Sequence, residues 1–257
     1  MVRGLYTAYT GMINEQKRLD VISNNMANAA TVGYKTERVA SQSFDQELTL
    51  KIKDTSVAYN QQPIGHMSLG VKIGEVYTDY SQGSLRETES TFDLALEGSG
   101  FFQVSYHNRD GSTSMKFTRD GSFTMTKDGY VVDMDGNNLV SENGVLQVPP
   151  DAVNVVIDER GYVYADEQLV DRIALIDYED YDFIEKFGEN LYQTVVGATP
   201  KDAEASIRQG FTEQSNVNVV NEMVDLITVT RAYEAGQKVI NTIDTMTDKA
   251  VNDVGRV

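Results

Sequence analysis

The chain has 257 residues, with 22 Lys and Arg against 39 Asp and Glu and a formal net charge of −17. This acidic balance argues against a nucleic acid or an anionic membrane surface as partner, because both are bound through patches of basic side chains. No apolar run approaches the roughly 18 residues that a membrane-spanning helix needs. The absence of cysteine removes disulfides, thiolate metal sites and cysteine nucleophiles, and the polar N-terminus is not typical of a secretory signal peptide.

The first predicted element is an amphipathic helix at the N-terminus. Its apolar residues recur with heptad spacing, which is typical of the contact seam of a coiled coil, and they include Leu5, Met12, Leu19, Ile22 and Met26. A helix with one apolar stripe is marginal in water by itself. We therefore expect this seam to pack against a second helix of the chain and against copies of the chain.

The seam runs into three asparagines, Asn24, Asn25 and Asn28, which compete with the helix backbone for hydrogen bonds. We expect their side chains to bond to the helix end and to neighbouring subunits. Gly33 is expected to let the chain turn away from the helix. The alternative interpretation is a fraying helix end without a further role.

Residues 34–66 are interpreted as an extended connector, with a helical portion left open, because they are polar and weakly patterned. A connector of this length exceeds the two to eight or so residues that join neighbouring elements, and such connectors are usually functional or disordered. We expect residues 41–66 to become ordered in a polymer and to brace adjacent subunits.

The middle of the chain is predicted to be a meander of β-hairpins. Its turn signals are Asp-Gly or Asn-Gly pairs at 110–111, 120–121, 128–129, 135–136 and 143–144, separated by short alternating runs. A further β stretch covers residues 153–178, with a turn at Arg160-Gly161.

A second amphipathic helix is predicted at the C-terminus, with Asn218 as its N-cap, Glu222 in its first turn and Gly255 at its end. Two heptad sets occur in it, one with Val220 and Ile227 and the other with Ile240, Ile243 and Thr247. These sets are out of phase by one residue. A change of contact face or winding is therefore expected between residues 231 and 236.

Together these elements predict an α+β protein in which the N- and C-terminal helices form a coiled-coil assembly domain and the centre forms a mainly antiparallel β domain. The expected boundaries are 1–33 with 217–257 for the assembly domain, 34–66 for the connector and 67–216 for the β-rich outer domain. The charge pattern supports this division, because residues 41–216 carry 13 basic and 30 acidic side chains, whereas the two ends are neutral together.

Candidate sites for chemistry are weak. The stretch 133–138 begins like a calcium-binding loop but lacks its glycine and its final carboxylate, so a hairpin turn is expected there. The only two histidines, His66 and His107, have no nearby partner motif for catalysis or metal binding. We predict neither an enzyme nor a metal or cofactor site. A secreted carbohydrate-active enzyme or an adhesin is the alternative from a different functional class.

The stretch "VISNNMANAATVGYKTER" resembles the N-terminal signature of the bacterial flagellar axial proteins, which form the rod and hook. The C-terminal stretch "SNVNVVNEMVDLITVTRAYEAGQKVINTIDTM" is similar to their C-terminal helix, and "LEGSGFFQV", "FTRDGSFTMTKDGYVV" and "FGENLYQT" are similar to the β domain of rod proteins. With its length, the extended residues 41–66 and the stretch "GENLY", the chain most resembles the distal rod type, and the proximal rod and hook proteins are the alternatives.

This resemblance implies a structural subunit that assembles helically with copies of itself into a hollow drive shaft. It further implies contact with other rod and hook proteins, export through the flagellar type III apparatus and a place in the flagellar basal body. No nucleic acid and no membrane insertion are expected.

Overall fold

The computed structural model describes residues 2–51, 62–108, 110–188 and 190–254. The chain divides into two compact units: unit 1 is Met1–Ala27, Glu37–Asp79 and Asn218–Val257, and unit 2 is Asn28–Thr36 and Tyr80–Val217. The boundaries differ from those expected from the sequence, because residues 28–36 belong to unit 2 and residues 37–79 belong to unit 1.

Unit 1 contains both long helices, α1 (Val2–Ala27) and α2 (Val219–Lys249), and one π-helical turn follows α2 at Ala250–Val254. Helices at the two ends of the chain were predicted and are confirmed. Asn218 caps α2 as predicted, since its side chain accepts hydrogen bonds from the backbone N–H groups of Val220 and Asn221. The predicted stop at Gly255 lies outside the described residues.

The described part of unit 1 also contains four strands: β1 (Glu37–Ser43), β2 (Glu47–Lys51), β3 (Gln62–Met67) and β4 (Val71–Thr78). β1 pairs with β4 and β2 pairs with β3, both antiparallel. The helical portion considered for the connector is not present in its described residues, 34–51 and 62–66, and residues 52–61 lie outside the described chain.

β1 is held against α1 by a side-chain bond that the sequence did not indicate. Ser41 Oγ donates to Asn14 Oδ1 at 3.0 Å, and Asn14 is buried. The first half of the supposed connector is therefore part of the packing of unit 1.

Unit 2 is built from short strands and a one-turn 3-10 helix at Tyr181–Phe183. Its strands are β5 (Leu85–Glu87), β6 (Leu94–Gly98), β7 (Phe101–His107), β8 (Thr113–Thr118), β9 (Thr124–Met125), β10 (Val131–Val132), β11 (Asn138–Ser141), β12 (Gly144–Val145), β13 (Val155–Ile157), β14 (Tyr162–Ala165), β15 (Gln168–Arg172), β16 (Leu175–Tyr178), β17 (Ile184–Phe187), β18 (Leu191–Thr194), β19 (Pro200–Lys201), β20 (Ala205–Gln209) and β21 (Phe211–Glu213).

The largest sheet of unit 2 has the order β17-β18-β8-β7-β11-β10-β9, and all strand pairs between the described strands of this unit are antiparallel. β13, β14 and β15 form a separate three-stranded sheet, and the pairs β6–β20 and β5–β21 bring the end of the unit back to its beginning. The central antiparallel β region expected from the sequence is thus confirmed.

Two groups of buried side chains form the interior of unit 2. The larger group is aliphatic with a few aromatics and includes Leu94, Phe102, Val104, Leu139 and Val163. The smaller group consists of Phe101, Phe117, Tyr178, Ile184 and Tyr192. Strand alternation explains the larger group: in β13, Val155 and Ile157 are buried and the residue between them is exposed.

The acidic stretch that begins like a calcium loop is a hairpin turn, as predicted. The Asp133 carboxylate accepts hydrogen bonds from the backbone N–H groups of Asp135 and Asn137 and from the side-chain amide of Asn137. The turn joins β10 to β11, which pair through Val132 and Asn138.

Candidate assembly surface and buried signature segment

The two helices of unit 1 pack against each other in antiparallel orientation. Gly4 lies against Ile243, Met12 against Gly236 and Asn25 against Glu222, so residue numbers rise along α1 as they fall along α2. A Cβ atom at Gly236 would lie 2.7 Å from Met12 Cγ, which explains why glycine occupies a position that otherwise favours a better helix former.

The inner face of α2 follows one continuous heptad pattern. Val229 is buried, and the remaining members of this face are half-buried, namely Glu222, Leu226, Tyr233, Gly236, Ile240 and Ile243. α2 is an uninterrupted α-helix from Val219 to Lys249. The predicted change of winding between residues 231 and 236 was therefore wrong.

The reason for that error is a second apolar stripe on the outer face of α2. Val220 is 68% exposed and Ile227 is 51% exposed, and Met223 and Val224 between them are also exposed. Their spacing of three, four and seven residues places these four side chains on one face of the helix. The heptad read from Val220 and Ile227 thus belongs to this outer stripe, and Thr247 is also exposed.

The residues of the predicted α1 seam do not all face the same way: most lie on the inner side of the helix, and one is exposed. Ile22 is buried, Met12, Leu19 and Met26 are half-buried, and Leu5 is exposed together with Tyr6, Tyr9 and Ile13. Small residues at the contact leave a groove of about 440 Å³ between α1 and α2. Its lining includes Gly4, Ala8 and Gly11 of α1 and Ala232 and Gly236 of α2.

Asn25 explains why an asparagine stands inside a helix. Its amide donates to the backbone oxygen of Glu37 at 2.8 Å, and its Oδ1 accepts from the backbone N–H of Glu37 at 3.0 Å. The side chain therefore makes the pair of bonds that a neighbouring strand would make to β1. It also donates to Glu222 Oε2 at 3.3 Å, so one buried residue joins α1, β1 and α2.

The other two asparagines have different surroundings. Asn24 is exposed on α1. Asn28 is half-buried in unit 2, where its Oδ1 accepts from Thr31 Oγ1 at 3.2 Å and its backbone oxygen accepts from the N–H of Thr31. α1 ends at Ala27, after Asn24 and Asn25, so these two asparagines do not terminate it.

Residues 28–36, here called the signature segment, are embedded in unit 2. Gly33 has φ +69°, and a Cβ atom there would lie 2.5 Å from the carbonyl carbon of Arg119. Its N–H donates to the backbone oxygen of Glu213 at 2.7 Å. Gly33 is thus needed for a close approach of two backbones, in addition to the predicted change of direction.

A buried ionic cluster surrounds the next residues of the segment. Lys35 Nζ lies 2.6 Å from Glu213 Oε1, and Arg119 Nη1 lies 3.2 Å from Glu213 Oε2. Their side chains are 1%, 0% and 5% exposed for Lys35, Glu213 and Arg119, respectively. Removing one partner of such a cluster costs roughly 3 to 5 kcal/mol, because a charge is left buried without compensation.

Tyr34 and Thr36 hold the segment on both sides of Lys35. Tyr34 is fully buried, and the Lys186 ammonium lies 4.0 Å from the centre of its ring. Thr36 donates to Asn216 Oδ1 from its backbone nitrogen at 2.8 Å and from its hydroxyl at 2.7 Å. Sequence reasoning missed Arg119, Glu213 and Asn216, since nothing in their spacing indicates that they meet Lys35 and Thr36.

Asp120 borders the signature segment through Asn190. The Asn190 amide donates to the backbone oxygen of Val32 at 2.6 Å and to Asp120 Oδ2 at 3.1 Å. Burial raises the pKa of the Asp120 carboxyl above its ordinary value, although hydrogen bonds from Ser122 and Asn190 oppose the shift.

No helix within the described residues combines the length and the apolar character needed to cross a membrane. Within the same residues, no group of three or more His, Asp or Glu side chains is arranged to hold a metal ion.

Three family models match the chain at its two ends and in unit 2. They are described as "Flagella basal body rod protein" for residues 5–35, "Flagellar hook protein FlgE/F/G D1 domain" for residues 95–165 and "Flagellar basal body rod FlgEFG protein C-terminal" for residues 208–253. The first matched range contains most of α1 and most of the signature segment, and the last contains the whole of α2.

Relatives match over nearly the whole length of the chain. The flagellar basal-body rod protein FlgG of Buchnera aphidicola subsp. Schizaphis graminum is 34% identical over 97% of this chain and 98% of its own length. FlgG of Bacillus subtilis is 31% identical over 98% and 99%, and the rod protein FlgF of Caulobacter vibrioides is 30% identical over 100% of both chains. The chain belongs to the flagellar basal-body rod protein family.

Membership in this family makes the chain a structural subunit of the flagellar rod. The resemblance identified from the sequence is thereby confirmed, and the enzyme or adhesin alternative finds no support among the relatives.

Proposed function

We propose that this rod subunit polymerises helically through the helix pair of unit 1 into a hollow shaft that carries torque from motor to hook. The observation that carries the proposal is the outer apolar stripe of α2, formed by Val220, Met223, Val224 and Ile227, which is exposed in the single subunit. A contiguous exposed apolar face marks a surface that another protein covers. A second copy of this chain is the occupant we propose.

The distribution of charge supports self-association through unit 1. Unit 2 carries 11 Lys and Arg against 25 Asp and Glu, a formal charge of −14, whereas unit 1 contributes only −3. Copies of unit 2 repel each other, and copies of unit 1 do so far less. Unit 1 can therefore be packed densely at the centre of a polymer.

The helix pair supports a coiled-coil arrangement of the polymer core. The groove lined by Gly4, Ala8 and Gly11 offers space for a large side chain of a neighbouring copy, and the exposed rings of Tyr6 and Tyr9 on α1 have a suitable size. The residues we assign to self-assembly are Leu5, Met12, Leu19, Ile22, Asn24, Asn25, Met26, Asn28, Gly33, Val220, Ile227, Ile240, Ile243 and Thr247. Within this set, Ile22 and Asn25 act by ordering unit 1, whereas Val220 and Ile227 contact the neighbouring copy.

Residues 41–66 are proposed as a lateral brace between subunits. Within its described part, the β2–β3 hairpin carries the exposed apolar side chains Leu48 and Met67. A brace across neighbouring helices opposes their sliding, which stiffens a shaft against torsion.

The relatives' names support a wider set of partners for this chain, since they are basal-body rod proteins. We propose that it contacts other rod and hook proteins, reaches the basal body by the flagellar type III export apparatus and occupies the distal part of the rod.

The test compares Ile227→Asp with Asn241→Asp, because both positions are exposed on α2 and both variants add one negative charge. Ile227→Asp should abolish incorporation into the rod and swimming, while the cellular level of the subunit is unchanged. Asn241→Asp should swim. Normal rods with Ile227→Asp, seen by electron microscopy of isolated basal bodies, would contradict the proposed interface.

A further inference from the structure

The chain passes between the two units four times, at residues 27/28, 36/37, 79/80 and 217/218. In unit 2, three stretches of chain lie next to these junctions: the signature segment, which has a junction at each end, residues 80–84 and residues 212–217. These stretches come from distant parts of the sequence, and within unit 2 they are bonded to one another.

Two three-way contacts link one residue from each stretch. Lys35 Nζ donates to the backbone oxygen of Ser81 at 2.8 Å and to Glu213 Oε1 at 2.6 Å. Asn216 accepts from Thr36 through its Oδ1, and its amide donates to the backbone oxygen and the hydroxyl of Ser81 at 3.2 and 3.1 Å.

Glu213 is the centre of this arrangement. Besides Lys35, its Oε1 accepts from the N–H of Gly83 at 2.8 Å, and its Oε2 accepts from Arg119 at 3.2 Å. Arg119 in turn donates to the backbone oxygen of Gly98 at 2.7 Å, at the end of β6. The three stretches are thus fastened to each other and to the sheets of unit 2.

An ionic cluster is an unexpected way to obtain stability at this place. Buried ion pairs lose so much hydration that apolar side chains of similar volume are often as stabilising or more so. What charged, bidentate groups provide better is a defined geometry, because each bond has a preferred direction. The position of the cluster, at the ends of all chain passages between the units, indicates what that geometry serves.

We propose that Lys35, Glu213, Arg119 and Asn216 form an ionic collar, which holds the three stretches joining unit 2 to unit 1 as one rigid body. The chain links the two units only through these stretches, so torque carried along the chain from one unit to the other passes through them. If they could rotate or slide separately, each subunit would yield under load. The collar makes the three stretches move together. Its four residues position these stretches and do not themselves contact another subunit. This inference rests on the proposed torque-carrying function.

The decisive variant replaces the ionic groups by apolar ones: Lys35→Met, Glu213→Leu and Arg119→Met together. The matched control, Arg172→Met with Glu142→Leu, removes an exposed ion pair of unit 2 whose atoms are 2.9 Å apart. The single change Glu213→Leu, which leaves two buried cations, is expected to lower the melting temperature of the full-length protein. The triple variant should recover most of that loss.

Rigidity is measured separately from stability. The chain has no cysteine, so the pair Lys72→Cys in unit 1 and Met134→Cys in unit 2 gives two unique sites for spin labels, both exposed. Pulsed electron paramagnetic resonance on polymers diluted with unlabelled protein then gives the distance distribution within a subunit. We expect the width of this distribution to increase at least twofold in the triple variant and to stay unchanged in the control.

Swimming in a viscous medium, where the motor works under load, should slow several-fold in cells with the triple variant and stay normal in the control. An unchanged distance distribution in a triple variant that melts like the wild type would overturn the collar, and so would normal swimming under load. A triple variant that fails to melt cooperatively would also overturn it, because the collar would then be needed for folding itself. Failure of the wild-type protein to polymerise would instead contradict the proposed function.

Discussion

Unit 1 and unit 2 differ most in what they do with their apolar side chains. Among the described residues, unit 2 buries 24 apolar side chains, whereas unit 1 buries only Ile22 and Val229. Of the side chains that the structure describes, unit 1 exposes 17 large apolar ones and unit 2 exposes ten. Burial of apolar surface is the main stabilising contribution to folding. Unit 2 therefore has the interior of an independent domain, while unit 1 has the exposed apolar surface of an element that is completed by association.

The position of the signature segment sharpens this comparison. The segment follows α1 directly, and the sequence alone predicts that its first six residues belong to the assembly domain. In the structure it supplies Tyr34 and Lys35 to the interior of unit 2. The most recognisable stretch of the sequence thus serves the independent unit as much as the assembling one.

The largest effect is expected from removing the signature segment. A fragment of residues 28–217 should fold cooperatively, whereas a fragment of residues 37–217 should lose about 5 kcal/mol or more of unfolding free energy. The loss combines the burial of Tyr34, at roughly 3 kcal/mol, with the buried carboxylate of Glu213 that loses its Lys35 partner. Urea denaturation followed by circular dichroism measures both fragments.

A peptide of residues 28–36 provides the control for this experiment. Added to the shorter fragment, it should raise the urea midpoint, and the same peptide with Lys35→Glu should not. If the two fragments proved equally stable, the segment would be a passive linker, and its assignment to unit 2 up to residue 36 would be wrong.

The helices at both ends, the hairpin meander between them and the N-cap Asn218 could be predicted, because each depends on local periodicity or turn chemistry. The pairing of β1 with β4 could not, since its residues are mostly exposed and the pattern of their side chains is weak. The collar was also beyond prediction. Its contacts join Lys35 to residues 46 and 178 positions away, and no spacing rule operates over such distances.

The outer stripe of α2 shows why the candidate assembly surface was predicted only in part. Val220 and Ile227 were identified correctly as a heptad, but a one-dimensional pattern cannot tell whether a stripe faces the partner helix of the same chain or the outside. Asn25 is the converse case. Its type indicated hydrogen bonding, but its partner, the backbone of Glu37, became visible only in the fold.

Among the buried positions that order unit 1, Asn25 is expected to be the most sensitive. In Asn25→Asp, a carboxylate oxygen would face the backbone oxygen of Glu37 and would approach the Glu222 carboxylate, where the amide now donates to both. With a cost of about 3 kcal/mol for these two contacts, the critical concentration for polymerisation should rise about 100-fold. Sedimentation of polymers measures this critical concentration. Asn241→Asp, on an exposed position of α2, should change it less than threefold; an equal effect of both variants would show that charge alone is responsible.

A smaller effect is the difference in stability loss between two glycine substitutions. It separates the cost of steric crowding at Gly33 from the cost of its backbone conformation. Gly33→Ala should destabilise unit 2 by about 3 kcal/mol, because alanine is strained at φ +69° and its Cβ would collide with the backbone of Arg119. Gly111 has a similar φ of +77° with no atom within 4 Å of a Cβ, so Gly111→Ala should cost only about 1 kcal/mol. Thermal unfolding of the fragment 28–217 gives both values. Equal losses would mean that the close approach to Arg119 contributes nothing.

The smallest effect concerns the pH dependence of unit 2. Because burial raises the pKa of Asp120, the folded state binds its proton more tightly than the unfolded state does. The stability contributed by that proton is therefore present at low pH and is lost as the pH rises from the ordinary value of 3.8 through the raised pKa.

Asp120→Asn cannot titrate, and its Oδ1 can still accept from the N–H of Ser122. Between pH 4 and pH 7, the wild-type fragment 28–217 should lose more unfolding free energy than the variant, by about 1 kcal/mol for each unit by which the pKa is raised. Parallel pH profiles of the two proteins would show that Asp120 titrates alike in the folded and unfolded states, and that its bond to Asn190 compensates for its burial.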